Sequence, residues 1–558
     1  MKFDINPSVP LSASDSKLLD SFSDHIIREI NSFTEKLFST EVNSRFSYLT
    51  PAFSRNFSQN NILVLFTRVF LLEQKIQNGQ TPSEVIVANM KQKKIILSLK
   101  KRTNSSFKIT IQNDKRNRLF MSNFYRALLW VFSSLFLKIF IKKKTTDDCE
   151  IAISYFFQPD SIDKDGKHKD KYFNLHRYIA RDPQNKKFLI LPFLTNFNSF
   201  NDFINLTKNI RKAKLNFFFQ ESYLTLTDYL KVLWNSYQIC YFDYQYPDIF
   251  GYKGSDLLKQ SNLDVVFSPM FLSQLSRYFF FKKLKQEGMS INFFITWFEN
   301  QQIDKATSLA LNDYFPNADH IGYQGYVPSK QDIHLFPKNF EFNKGVLPKK
   351  IEVISKAVFD VYSNYGLKNI LLGNAYRYEY LQDIMLKGAP LRNTIFVALP
   401  ISVDLSLDLI QLLSEIISFE KNNFNFLLKI HPVIRKNKII AKALKDYKIS
   451  NELITDKKFS EIHNTIMLMI SAGLSSLQIE AIALNIPVAV LSNNKGLTPD
   501  ISGVVKEKIN NKIFYNNIEL FDYIRSISQK PSEERKKESI LNFGKRKLTI
   551  SDIFHNNL

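Results

Sequence analysis

Cysteine and glycine are scarce in this 558-residue chain, and no apolar run in it reaches the length of a bilayer span. The two cysteines, Cys149 and Cys240, lie in different segments, which excludes a disulfide scaffold, a CxxC redox pair and a cysteine-based zinc site. Fifteen glycines are too few for a collagen-like rod, and no fixed-period repeat is visible. HExxH, GxxxxGK[ST] and GxSxG are also missing, so zinc-protease, P-loop kinase and serine-hydrolase readings lose their usual support. What is present is 44% hydrophobic and 14% aromatic residues, which excludes a disordered chain. At about 100–200 residues per domain, the length implies two or three domains, each able to bury its own core.

Charge is unbalanced. Lys and Arg number 75 against 53 Asp and Glu, a net charge of +22, and the cations are dispersed along the chain. Such a balance favours an anionic partner: a nucleotide-activated substrate, an anionic lipid surface or nucleic acid. The start, Met1 to Pro7, lacks a basic segment followed by an apolar one, so a cytoplasmic location is expected. The most apolar place is Leu119 to Ile141, followed by Lys142-Lys143-Lys144. Its uncharged part, Ala127 to Leu137, is short of the roughly 20 residues a spanning helix needs. Trp130, Phe132, Phe136 and Phe140 beside Arg126, Lys138 and the three lysines suit a basic-aromatic interfacial helix at 119–144, resting on the inner face of the cytoplasmic membrane. A buried core helix with a solvated lysine stop fits the same residues. The run Tyr278 to Lys285 has similar composition and reads as a helix end.

Short apolar runs alternate with longer amphipathic ones. Residues 14–40 read as a helix. Ile62–Phe66, Glu84–Ala88, Glu150–Phe157, Lys187–Phe193, Leu215–Phe219, Asp264–Phe267 and Ile291–Trp297 are short enough for strands buried on both faces. The second half repeats the pattern, with strands at Ile351–Ser355, Asn369–Gly373, Asn393–Leu399, Phe424–Ile430, Ile466–Ser471, Val488–Leu491 and Lys512–Phe514. Helices are expected at Leu405–Glu420, Lys436–Asp446 and Ser475–Asn485. Parallel sheets with crossover helices follow. The expected fold class is α/β, with two Rossmann-like domains facing across a cleft. The polar, proline-bearing stretch Pro328–Lys350 suggests domains at 1–330 and 331–525, with a charged helical tail at 526–558.

Two segments carry the chemistry. Ile466–Leu491 reads strand, small-residue turn, helix, strand. Ser475 and Gln478 have capping-box spacing, and a helix that starts at a strand's carboxyl end points its amides and positive dipole end into the crevice. Gly473 admits close backbone approach, and the hydroxyls of Ser471, Ser475 and Ser476 suit a phosphate; a plain helix cap fits equally. The other segment is Lys429-Ile430-His431-Pro432 with Arg435. Pro432 stops the ladder, so His431 belongs at the strand's carboxyl end, where Lys429, Arg435 and an imidazole of adjustable charge suit phosphate contact.

This pair in this order, KIHP and then SAGLSSLQIEA and NIPVAVL, resembles the C-terminal nucleotide-binding half of GT-B glycosyltransferases of bacterial surface polysaccharides. It is similar in style to bacterial sialyltransferases and polysialyltransferases, with an HP motif and then a Ser/Thr-rich motif. Capsule Kdo transferases and glycerophosphotransferases of teichoic acid synthesis have related segments. The resemblance covers roughly residues 320 to 500. It implies that His431, Ser475 and Ser476 contact the donor phosphate and that Glu480 lies towards the donor's ribose, although a solvated helix position suits Glu480 as well. Ile321–Tyr326 and Gly373–Tyr378 look like the GxQ-type and small-residue-then-Arg segments of such enzymes. Arg377 then holds a phosphate or carboxylate, or is a surface arginine.

Inverting sugar transfer needs a base for the acceptor hydroxyl and positive groups for the departing phosphate. Glu299, after Ile291–Phe298, and Asp160, after Ile153–Pro159, both follow apolar runs and are the candidates, Glu299 preferred. Asp163-Lys164-Asp165-Gly166 lacks calcium-loop spacing, is flanked by lysines, and reads as a polar turn, so no metal site is expected. The resemblance therefore implies no cofactor beyond a nucleotide-activated sugar as co-substrate, preferably a CMP-linked nonulosonate or Kdo-like acid, and a glycan or lipid-linked glycan as acceptor. A CDP-alditol phosphotransferase would use the same helix start. A basic nucleic-acid-binding protein is the reading of a different class, but no recognised nucleic-acid motif is found.

Overall fold

The computed structural model describes residues 2–528 except 41, 43, 58–59, 113–116, 142–148, 171, 174–187, 196, 198–199, 214–216, 242–245, 379, 382–392, 421–422, 503 and 505–510. The tail at 529–558 and the lysines at 142–144 lie outside the described residues. Three parallel strands, β1 (Lys2–Asp4), β2 (Glu84–Val87) and β3 (Lys108–Ile111), form a small sheet. Six more form the N-terminal sheet: β4 (Cys149–Ser154), β6 (Phe188–Ile190), β8 (Ile291–Trp297), β9 (Asp319–Gln324), β10 (Lys350–Val353) and β11 (Ile370–Leu372). Between them, β5 (Phe156–Phe157) and β7 (Phe193–Leu194) make a two-stranded ladder. The C-terminal sheet holds β12 (Thr394–Ala398), β13 (Asn425–Lys429), β14 (Ile466–Ala472), β15 (Val488–Leu491) and β16 (Asn511–Phe514).

All ladders in both large sheets are parallel, in the order β11-β10-β9-β8-β4-β6 and β13-β12-β14-β15-β16. Each is a doubly wound sheet whose order reverses beside its first strand. Central strands are buried on both faces, as in β14, where all seven residues of IMLMISA are buried. That burial explains why unbroken apolar runs marked them in the sequence.

Several sequence expectations need correction. Strands β10 and β11 extend the N-terminal sheet through β9, with Ile351 opposite Gly322 and Ile370 opposite Ile351. The change of sheet therefore falls after Leu372 rather than at 330/331. Ile62–Phe66 is part of a helix, Asn61–Gln77, buried on every face from Ile62 to Glu73; a short apolar run does not distinguish a strand from a wholly buried helix. Asp264–Phe267 lies at the end of helix Ser255–Val265. Residues 14–40 form two helices, Ala13–Ser21 and Ser23–Ser39, broken at Phe22. The run Tyr278–Lys285 forms, as expected, the C-terminal end of helix Pro269–Gln286, with Tyr278–Phe281 buried.

The N-terminal helices also tie the two lobes together. Asp20 accepts from Thr498 N (2.8 Å) and Tyr515 Oη (2.9 Å), Leu11 N donates to Asn494 O (2.6 Å), and Arg68 Nη2 donates to Lys495 O (3.2 Å). One apolar cluster runs from Ile151 and Ile351 in one sheet to Phe396 and Ile466 in the other. The two sheets thus share packing, and their relative placement is set by buried contacts.

Candidate active site

In doubly wound sheets the crevice lies beyond the carboxyl ends of the strands where the order reverses. Here those places are β4/β8 and β12/β14, and they face the same cavity of about 360 Å³. Trp297 and Glu299 at the end of β8, with Tyr172, Tyr326, Asp332 and His334, form one wall. Pro400 and Ile401 beyond β12, His431 beyond β13, and Leu474, Ser475, Ser476 and Ile479 beyond β14 form the other, with Arg377 between.

Glu299 is held from both sides. Trp297 Nε1 donates to its Oε1 at 2.8 Å and Gln301 Nε2 to its Oε2 at 2.6 Å. Burial raises its carboxyl above the usual range, more than these bonds and Arg377 lower it. The turn beneath is built on Asn300, at φ 49°, a conformation Asn tolerates. Asp304 accepts from the backbone amides of Glu299 (3.1 Å) and Gln301 (2.9 Å), and burial pushes its carboxyl up to about 7. Behind the turn sits a buried ion cluster. Glu341 receives Arg55 Nη2 at 2.5 Å, Lys305 Nζ at 3.3 Å and Asn300 Nδ2 at 3.1 Å. Burial pulls the Glu341 carboxyl up, but Arg55 and Lys305 more than reverse this and hold it below its ordinary value. Asn300 Nδ2 also donates to His334 O at 2.8 Å, fixing the loop that carries Asp332 and His334. Burial, reinforced by Arg55, pushes the His334 imidazole down to about 3, so it is neutral near pH 7.

On the opposite wall, Ser475 caps helix Ser476–Ala483 by accepting from Leu477 N at 3.3 Å. The capping box expected with Gln478 does not form. Gln478 Nε2 donates instead to Ser471 Oγ and Gly473 O, both at 2.6 Å, bracing the turn in which Gly473 takes φ 67°. Arg377, in the turn Tyr376–Tyr378 after β11, donates from Nη2 to Ser476 Oγ at 3.1 Å and so reaches from one lobe to the helix start of the other. His431 Nδ1 accepts from Val433 N at 3.3 Å, which leaves Nε2 as the protonated nitrogen of the neutral ring.

The cavity wall therefore collects Glu299, Arg377, His431, Ser475 and Ser476, with Gly473 adjoining. Four other candidates lie elsewhere. Lys429, the last residue of β13, donates from Nζ to Lys457 O, and Arg435, beyond the end of the ladder where strand alternation no longer sets side-chain direction, pairs with Asp456 on an exposed face. Asp160 is exposed and outside the wall. Glu480 is not a solvated helix position: it is buried and hydrogen-bonded to Tyr380, with burial raising its carboxyl despite that bond, Arg377 and Lys429. The Asp163 turn is locally satisfied, Oδ1 accepting from Asp165 N (3.0 Å) and Lys167 N (2.9 Å). Among the described residues no cluster of His, Cys, Asp and Glu is arranged to hold a metal. Tyr326 ends the Ile321–Tyr326 segment marked in the sequence, but Tyr172, Asp332 and His334 were not singled out from it. The only signal was a carboxylate and an imidazole two residues apart in a stretch that read as a domain boundary.

Two doubly wound parallel sheets, with their switch points opposed across one cavity, constitute the GT-B architecture. No protein-family model and no curated protein matches the chain. Among solved structures it is similar to S. aureus MnaA in complex with UDP, at 10% identity over 69% of this chain and 89% of that one, TM-score 0.40. It is also similar to the lipopolysaccharide outer core galactosyltransferase WaaB, at 10% identity over 69% and 91%, TM-score 0.34. The wall teichoic acid polymerase TagF is similar at 10% identity over 74% and 88%, TM-score 0.34. The sheet topology, and not these distant likenesses, carries the architecture.

Proposed function

We propose that the protein is a glycosyltransferase that moves a sugar from a nucleotide donor to a bacterial surface glycan, without a cofactor and with inversion. The supporting observation is the cavity itself, which sets a half-buried carboxylate of raised pKa on one lobe, with a guanidinium reaching across from that same lobe, against an imidazole and a capped helix start on the other. In this reading Glu299 takes the proton of the acceptor hydroxyl as its oxygen bonds the anomeric carbon. The bond from that carbon to the donor phosphate breaks, and the phosphate's growing charge is met by Arg377, the Nε2–H of His431 and the N-terminal end of helix Ser476–Ala483. A sugar that itself bears a carboxylate would suit the cationic side of the cavity, which is why a CMP-linked nonulosonate or Kdo-like acid is the preferred donor. Asp160, Lys429 and Arg435 have no part in this scheme.

Thermal melts with CMP, CDP, UDP and GDP identify the donor base, because a ligand at 100 times its Kd stabilises the folded state by about 2.7 kcal/mol. Glu299→Gln should lower kcat by about 10²–10⁴ and remove the rise of kcat/KM with pH that a carboxylate base produces. His431→Ala should weaken donor turnover with an unchanged melting temperature. Full activity in either variant refutes the assigned role, and phosphorus retained in the product would make the enzyme a phosphoalditol transferase instead.

A further inference from the structure

Helices Asn117–Phe140 and Leu226–Tyr241 meet on the N-terminal lobe. Trp130 meets Tyr229 edge-on at 5.3 Å between ring centroids, and Lys138 Nζ donates to Leu224 O at 3.0 Å. One stripe of the first helix, Ala127, Val131, Ser134 and Leu137, is buried against the lobe. The opposite stripe is apolar and open to solvent. It carries Leu129, Phe132 (69% exposed) and Ile139 (74% exposed), and the neighbouring helix adds Leu226, Leu230 and Trp234 (59% exposed) at helical spacing. Of 24 exposed large apolar side chains among the described residues, 11 belong to these two helices. Single exposed apolar residues are ordinary, but a concentration of this kind on two adjoining helices marks a surface that is covered in use.

The surrounding charge says by what. The first helix contains no Asp or Glu, and its Arg126 is exposed. The second presents exposed Lys231, while its one acid, Asp228, is buried against Thr225 Oγ1 (2.6 Å) and Lys283 Nζ (3.5 Å). The exposed charge on the face is therefore positive. Among the described residues no helix is long and apolar enough to cross a membrane, so this face is suited to lying in the plane of one. Aromatic and aliphatic side chains enter the headgroup–acyl boundary while arginine and lysine meet anionic headgroups. We propose that the two helices together form a platform that seats the protein on an anionic lipid bilayer. The inference extends beyond the helix recognised from sequence, since half of the platform comes from residues about 100 positions later, and it does not rest on the donor-site reading.

The test is flotation of the full chain with vesicles of phosphatidylcholine alone and of an equimolar mixture with phosphatidylglycerol, at low and high salt. Binding is expected to the mixed vesicles, to weaken with salt and to be slight on phosphatidylcholine. Phe132→Ser with Trp234→Ser should lower partitioning at least about tenfold, given the apolar area withdrawn from lipid. Arg126→Glu with Lys231→Glu should abolish the preference for phosphatidylglycerol. Phe419→Ser, exposed on helix Val403–Glu420, should bind as the parent does. Every substituted side chain is exposed, and thermal melts confirm that each variant is folded. Absence of binding to the mixed vesicles overturns the platform, as does binding that survives the Phe132/Trp234 pair. Self-association in solution that this pair abolishes, without lipid binding, would assign the face to a second copy of the chain.

Discussion

Gly325 follows β9 and sits against the indole that holds Glu299. A methyl group placed there would lie 2.3 Å from Trp297 Cζ3, 2.5 Å from Trp297 Cη2 and 2.7 Å from Tyr323 Cε1. Ordinary contact begins near 3.4 Å, so in Gly325→Ala the indole must retreat by about 1 Å. Gly325 is not in the left-handed region, so backbone strain is not at issue and the effect is steric. Trp297 Nε1 is 2.8 Å from Glu299 Oε1, and a retreat of that size takes the bond beyond hydrogen-bonding range. Overpacking a buried aromatic costs about 1–3 kcal/mol and loss of a bond to a charged group about 1.5–3 kcal/mol; the two are coupled, so an overall loss of about 2–4 kcal/mol is expected. The lost bond also favoured the charged carboxylate, so the Glu299 pKa should rise further and the pH at which kcat/KM reaches half its maximum should move up. Urea unfolding and a pH–rate profile measure the two effects on one variant. Unchanged stability, or a destabilised variant with the parental pH profile, would show that Trp297 does not position Glu299.

Two further outcomes follow from the supports of that turn. Asp304 is protonated more readily folded, at about 7, than unfolded, near 3.8. Its burial therefore costs nothing below pH 4, and stability is lost as pH rises towards 7. Asp304→Asn should match the parent at pH 4 and exceed it at pH 7.5 by an amount on the order of 3–4 kcal/mol at most; a difference that does not vary with pH refutes the shift. Glu341→Gln leaves Arg55 and Lys305 buried without their counter-charge and should cost about 3–5 kcal/mol in urea unfolding. A loss below 1 kcal/mol would mean that the cluster is hydrated in solution.

Local grammar made the C-terminal lobe readable. Central parallel strands are buried on both faces, so β12, β14 and β15 appear as unbroken apolar runs, and a proline after His431 marks where β13 ends. The small-residue turn before Ser475 announces a helix start in the same way. These are properties of a few consecutive residues, and the sequence alone determined them: the alternation of strand and helix, two parallel sheets, and the His431 and Ser475 segments as partners. Tertiary structure decided what depended on distant pairing. It assigned β10 and β11 to the first sheet, turned Ile62–Phe66 into a helix by burying every face of it, and directed Lys429 and Arg435 away from the cavity. It also built the Glu299 wall from Tyr172, Asp332 and His334, and backed it with Arg55, which reaches Glu341 across 286 positions of sequence. Periodicity reports which face of an element is buried, but the neighbour that buries it is chosen by the packing of the whole chain, and the polar groups of a cleft follow that choice.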